Sequence, residues 1–178
     1  MDSRTRDALE TRDGWNADWY PDSIFLQTEA MSSEVVVTLD ARIPAPNCSV
    51  GTVATASELA QWIANNPDLR ARGPEIVPVS GITVIQLDVT VSSTARISSC
   101  GPDRRFPVVE VYDEERHHPR VVMRDQVMRA YFFNLFDGSP DPRTVAVLIT
   151  SDEDDLDREV GQAMPVITSL LGALAPLK

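Results

Sequence analysis

Residues 82–91 read ITVIQLDVTV. Ile85, Leu87, Val89 and Val91 alternate there with Gln86, Asp88 and Thr90. Side chains on a strand point to opposite faces in turn, so this period of two predicts a strand with one packed face and one wetter face. Such a strand needs a sheet around it, and the flanking sequence supplies one. Upstream, residues 75–79 predict a second strand, joined to the first through Gly81. Downstream, residues 92–105 are polar and hold Cys100, Gly101 and Pro102, which predicts a long connection. Strand character resumes at 106–112. It follows again at 120–123 and 127–133, the last of which also fits a short helix. After the turn-rich residues 137–142, Val145, Val147 and Ile149 alternate in a strand over 144–150.

Two helices frame these strands. Thr55 and Glu58 have the spacing of a capping box, and Leu59, Trp62 and Ile63 form an apolar stripe that Asn65, Asn66 and Pro67 close. Trp62 is thus expected in the core. The last helix is expected from Ser151 or Asp152, with Leu156, Val160, Met164, Ile167 and Leu171 on one face and a bend at Pro165. Near the start, residues 24–26 and 34–39 predict two strands joined over 30–33. Trp15, Trp19 and Tyr20 are expected as core anchors. Residues 1–13 are expected as a polar N-terminal arm, and 14–178 as a single α+β domain: one antiparallel β-sheet packed against helices.

Composition agrees with that scale. The chain has 178 residues, 43% hydrophobic and 24% charged, an ordinary soluble balance that suits one domain. Its formal charge of -11 argues against nucleic acid or an anionic membrane as a general partner. Residues 1–10 carry no signal-peptide pattern. The apolar residues 163–177 are fewer than the roughly 20 needed to span a bilayer and contain two prolines, so no transmembrane segment is expected.

The cysteines are Cys48 and Cys100, each in a proline- or glycine-rich loop sequence. A cystine between them is the sharper reading, with chain entropy making it worth about 4 kcal/mol. The alternative is two separate thiols in a reducing compartment. Neither cysteine has a ligand set for a metal.

Three groups of residues carry side chains suited to chemistry. Glu114, Glu115, His117 and His118 have side chains that bind zinc or move protons, but adjacent histidines on a strand face opposite ways, so a solvated turn is expected. Asp152, Glu153, Asp154, Asp155 and Asp157 are hard oxygen donors without the glycine of a calcium loop, so helix-start electrostatics is expected. A Cys48 or Cys100 nucleophile with His117 or His118 conflicts with a cystine, and no G-x-S-x-G elbow, phosphate-binding glycine loop or dinucleotide fingerprint occurs. No catalytic residue, metal or cofactor is therefore expected. Tyr131, Phe132, Phe133 and Phe136 form the most aromatic short segment, read either as sheet core or as an apolar protein interface.

A wider pattern is present. It comprises Gly14 and Trp15, a cysteine before Thr55-Ala56-Ser57-Glu58-Leu59, and Trp62-Ile63 before Asn66-Pro67-Asp68-Leu69. It continues with Val79-Ser80-Gly81 before Leu87-Asp88-Val89-Thr90-Val91, a second cysteine, and the final strand and helix. This resembles a broad group of actinobacterial extracytoplasmic domains of unknown function, often found in lipoproteins or behind membrane anchors. The resemblance implies a Mog1/PsbP-like αβα sandwich and a secreted or surface-exposed binding or accessory role, with a protein or small-molecule partner. It supplies no catalytic residue. It places the chain outside the cytoplasm as a secreted, lipid-anchored or membrane-tethered part, with the cytoplasm as the alternative. The functional alternatives are a small hydrolase or metal-dependent protein, and a cytosolic protein-assembly module.

Overall fold

The computed structural model describes residues 15–20, 23–28, 34–45, 51–95, 105–112, 117–135 and 143–174. In chain order the strands are β1 (Trp15–Trp19), β2 (Ser23–Thr28), β3 (Glu34–Leu39), β4 (Arg42–Ile43), β5 (Thr52–Val53), β6 (Leu69–Val79), β7 (Ile82–Val91), β8 (Arg105–Tyr112), β9 (His117–Met123), β10 (Val127–Leu135) and β11 (Arg143–Ser151). The helices are α1 (Ala56–Asn65), between β5 and β6, and α2 (Leu156–Leu174), after β11.

The strand at 82–91 behaves as its alternation predicts. Ile85, Leu87, Val89 and Val91 face one apolar core, while Gln86, Asp88 and Thr90 point the other way and stay half-buried. Its neighbours are β6 and β10, within a seven-stranded sheet of order β1-β2-β3-β11-β10-β7-β6. A second, four-stranded sheet has the order β5-β4-β8-β9. Every pairing is antiparallel. The expectation of one sheet is thus corrected to two. Strands β4 and β5 are two residues long, too short to leave an alternating signature.

The large sheet separates two cores. On one face α2 lays Leu156, Val160, Ala163, Ile167 and Leu170 over Val37, Val147, Ile149 and Tyr131. On the other face α1 and the small sheet bring Leu59, Ile63, Phe106 and Val122 onto Leu87, Phe132 and Leu148. The result is an α+β sandwich of antiparallel sheets packed against two helices. Because β3, β10 and β11 are covered on both sides, they are apolar almost throughout, and this hides the period of two in β10. The ambiguity between strand and helix at 127–133 has that cause.

α1 begins with the expected capping box. Thr55 accepts from the Glu58 amide at 3.3 Å, and Glu58 accepts from the Thr55 amide at 2.7 Å. The last helix starts later than expected. Ser151 pairs with Val127 in β11, and a turn closed by the Asp155 amide on the Asp152 carbonyl precedes Leu156. Pro165 lies inside α2, on its exposed side, and the helix continues through it to Leu174. β6 starts at Leu69, six residues before the expected strand. Its register with β7 shifts between Arg72 and Glu75, at Gly73, whose φ of 105° is one that glycine adopts without strain. Tyr20 is 47% exposed and stacks edge-on to Phe25 at 5.1 Å, so it is not the core anchor expected.

The cystine is also corrected. Among the described residues no disulfide is present, and Cys48 and Cys100 both lie outside them. The expected arm at 1–13, the connection over 30–33 and the turn at 137–142 fall outside the described residues.

Candidate functional site

On the α2 side of the large sheet the apolar core stops before the end of the sheet. The polar face of β7 continues there, and the gap it leaves is a groove of about 580 Å³. Its position follows from register. One row across the sheet runs Arg72, Asp88, Arg129, and the next runs Arg70, Thr90, Val127, Ser151. The β9–β10 turn with Arg124 and Asp125 borders one end, and Glu153 on the turn into α2 with Asp157 at the start of that helix borders the far side.

Arg129 is the fixed point of the floor. Its Nε and Nη2 donate to the two carboxylate oxygens of Asp88 at 2.6 and 2.9 Å, and its Nη1 donates to Asp157 at 3.1 Å. The Arg129 and Asp88 side chains are 16% and 13% exposed, so the pair works in a low local dielectric. The hydrogen bond to Asp88 raises the Arg129 pKa above its usual value, against the cost of burial. Tyr131, two residues along the same strand face, has its pKa raised by burial and drawn down by the charge and hydrogen bond of Arg129.

The walls differ from the floor. Arg124 is held, with Nη2 donating to the Ala95 carbonyl at 2.8 Å and its guanidinium 5.5 Å from the Phe106 ring centre. Arg70 and Arg72 are exposed on the edge strand and make no side-chain hydrogen bond or ion pair among the described residues. Asp125 and Glu153, on the opposite side, are likewise exposed and unpaired there. The groove thus has a neutralised floor, two arginines on β6, and on the two turns Arg124 together with the carboxylates of Asp125 and Glu153. Among the described residues its lining brings no serine, threonine or cysteine into hydrogen-bond contact with a basic side chain.

The residues singled out from sequence have other places. The acidic run 152–157 is split by the chain path: Asp155 pairs with Arg158 at 2.9 Å, Asp157 pairs with Arg129, and Glu153 faces the groove. Among the described residues no group of histidine, cysteine and carboxylate side chains is arranged to hold a metal ion. His117 and His118 sit on β9, opposite Tyr112 and Val111. Glu114 and Glu115 lie outside the described residues. Tyr131 and Phe133 are buried in the core under α2 and Phe132 in the core under α1, while Phe136 lies outside the described residues. The groove itself was half visible in the sequence. Gln86, Asp88 and Thr90 marked a wet face, and Arg129 is the one charged residue in an otherwise apolar run. Arg70 and Arg72 were missed because Gly73 and Pro74 break the strand pattern just after them.

No family model matches the chain, and no curated protein matches it. Among solved structures it is similar to the cyanobacterial PsbP (CyanoP) from Synechocystis sp. PCC 6803, with 13% identity over 88% of this chain and 80% of that one, at a TM-score of 0.41. It is also similar to PA94, a protein of unknown function from Pseudomonas aeruginosa, with 12% identity over 93% of this chain and 99% of that one, at a TM-score of 0.36. Among the described residues no helix is long and apolar enough to cross a membrane.

Proposed function

We propose that the protein is a binding or accessory domain without a catalytic role of its own, and that its groove receives an anionic group of its ligand. The observation that supports this reading is the pair Arg70 and Arg72. Two arginines two positions apart share one strand face, without carboxylate partners among the described residues, in a chain of net charge -11. Acidic residues outnumber basic ones 27 to 16, so basic groups left unpaired beside a groove are an unusual expenditure. Arginine forks suit carboxylate and phosphate oxygens. The proposed location outside the cytoplasm, as in actinobacterial extracytoplasmic domains, is supported by the resemblance of the sequence pattern and no longer by a cystine.

Inorganic phosphate is a sufficient probe, read by shifts of backbone amide resonances. Weak saturable binding centred on β6 and β7 is expected. The Arg70→Ala/Arg72→Ala double variant should weaken it by about tenfold or more, and added salt should weaken it in the wild type. Absence of saturable shifts at the groove, or equal binding by the double variant, would falsify the reading.

A further inference from the structure

Resting on that reading, we infer that the ligand is an acidic extended peptide segment of a partner protein, added as a strand to the edge of β6 at Ala71. β6 ends the seven-stranded sheet, with β7 as its one neighbour among the described residues. The direction of its backbone groups follows from one hydrogen bond. The Ser92 amide donates to the Asp68 carbonyl at 2.9 Å, so the backbones of these two residues face each other. Facing pairs recur at every second residue of an antiparallel ladder, so Arg70 faces Thr90 and Arg72 faces Asp88 in the same way. The backbone groups of Ala71, between them, point out of the sheet. They have no hydrogen-bond partner among the described residues, whereas the Leu69 amide is taken by the Asn66 carbonyl at 3.1 Å. Farther along, Pro74 and Pro78 carry no N–H, so the part of the edge suited to holding a strand lies around Ala71.

The side chains choose the occupant. Ala71 packs toward the α1 core, while Arg70 and Arg72 line the groove on the other face. A second copy of β6, paired antiparallel about Ala71, sets each Arg70 opposite an Arg72, with all the guanidinium groups on one face. Like charges directly opposite one another work against that pairing. A strand with carboxylates at alternate positions answers the same two arginines. Its residue opposite Ala71 exchanges two backbone hydrogen bonds with it, and the neighbours on either side turn their side chains to the face of Arg70 and Arg72. A Glu-x-Glu segment therefore joins strand addition to the charge of the groove. Main-chain bonds supply affinity and alternate side chains supply specificity.

The probe is acetyl-Thr-Glu-Val-Glu-Thr-amide, followed through the backbone amide resonances of the protein, with two altered forms. Methylation of the valine nitrogen removes the donor aimed at Ala71 and keeps both carboxylates. Glutamine in place of both glutamates keeps the donor and removes the charge. The parent peptide should give saturable shifts centred on residues 69–73 and 88–90. Each altered form should bind about fivefold more weakly, or worse. Equal binding of the methylated form overturns strand addition and leaves the anion site standing, as does phosphate binding without binding of the parent peptide. Equal binding of the glutamine form overturns the acidic occupant. Dimerisation of the wild type in sedimentation velocity, reversed by the parent peptide, gives the edge to a second copy and also overturns the inference. Failure of the parent peptide and of phosphate together removes the anion site as well.

Discussion

Tyr131 is 4% exposed and shares a strand face with Arg129. Burial disfavours its phenolate and raises its pKa above the ordinary 10.0, the larger effect, while the Arg129 charge and hydrogen bond act the other way. The native fold therefore keeps the phenol neutral at pH values where the unfolded chain has ionised. Its contribution to stability is complete below pH about 10 and is lost as the pH rises through the folded value. Urea denaturation between about pH 9 and 11.5 should show stability falling with pH, and Tyr131→Phe should flatten that fall. An unchanged slope in the variant would assign the alkaline loss to other groups. The sequence could not locate this effect. It showed Tyr131 among apolar neighbours, but the proximity of Arg129 depends on both side chains emerging on the α2 face of β10, and the strand assignment there was itself ambiguous. Asp88 was legible as a polar face residue; its partner was not, because that partner is 41 positions away in sequence.

At the scale of elements, α1 is the piece whose stability is most local. The Thr55–Glu58 box satisfies amides that a helix start leaves without partners. The Ala56 amide has a further acceptor in the Asn134 side chain at 3.0 Å, which ties the helix start to β10. Thr55→Ala should lower global stability by about 1 kcal/mol. The Glu58 carboxylate, hydrogen-bonded by Thr55, has its pKa held below the ordinary 4.5. Its stabilising effect is present above that pH and is lost as the pH falls through the folded value. Denaturant midpoints measured for wild type and Thr55→Ala should therefore converge in acid and diverge near neutrality. A constant gap between them would count against the reciprocal box. This helix was readable because its signals sit within one turn of sequence. The small sheet was not, since β4 meets β8 at a single paired position, Arg42 with Glu110, and no local pattern announces a pairing across that distance. The expected cystine failed for a related reason. Loop-like sequence around two cysteines gave no information on whether their loops meet.

For the whole molecule, the decisive feature is that one sheet serves two cores. Alternate residues of β10 enter them in turn: Tyr131 and Phe133 under α2, Met128, Ala130 and Phe132 under α1. Neither core has a wall of its own on the sheet side. Loosening one face shifts the backbone of β7, β10 and β11 and so disturbs packing on the other, because close-packed interiors transmit strain. We therefore propose a single folding unit over 14–178, as the sequence length suggested, and expect one cooperative transition despite the two sheets. Phe132→Ala and Ile167→Ala empty buried volume in different cores, since both side chains are almost wholly inaccessible. The first should cost about 3–5 kcal/mol and the second about 2–5 kcal/mol. Each should move one and the same transition, whether it is followed by far-ultraviolet circular dichroism or by hydrogen exchange of peptides from α1 and α2. If Phe132→Ala released α1 while α2 kept its protection, the two cores would be separate cooperative units, and the shared sheet would be only a spacer between them.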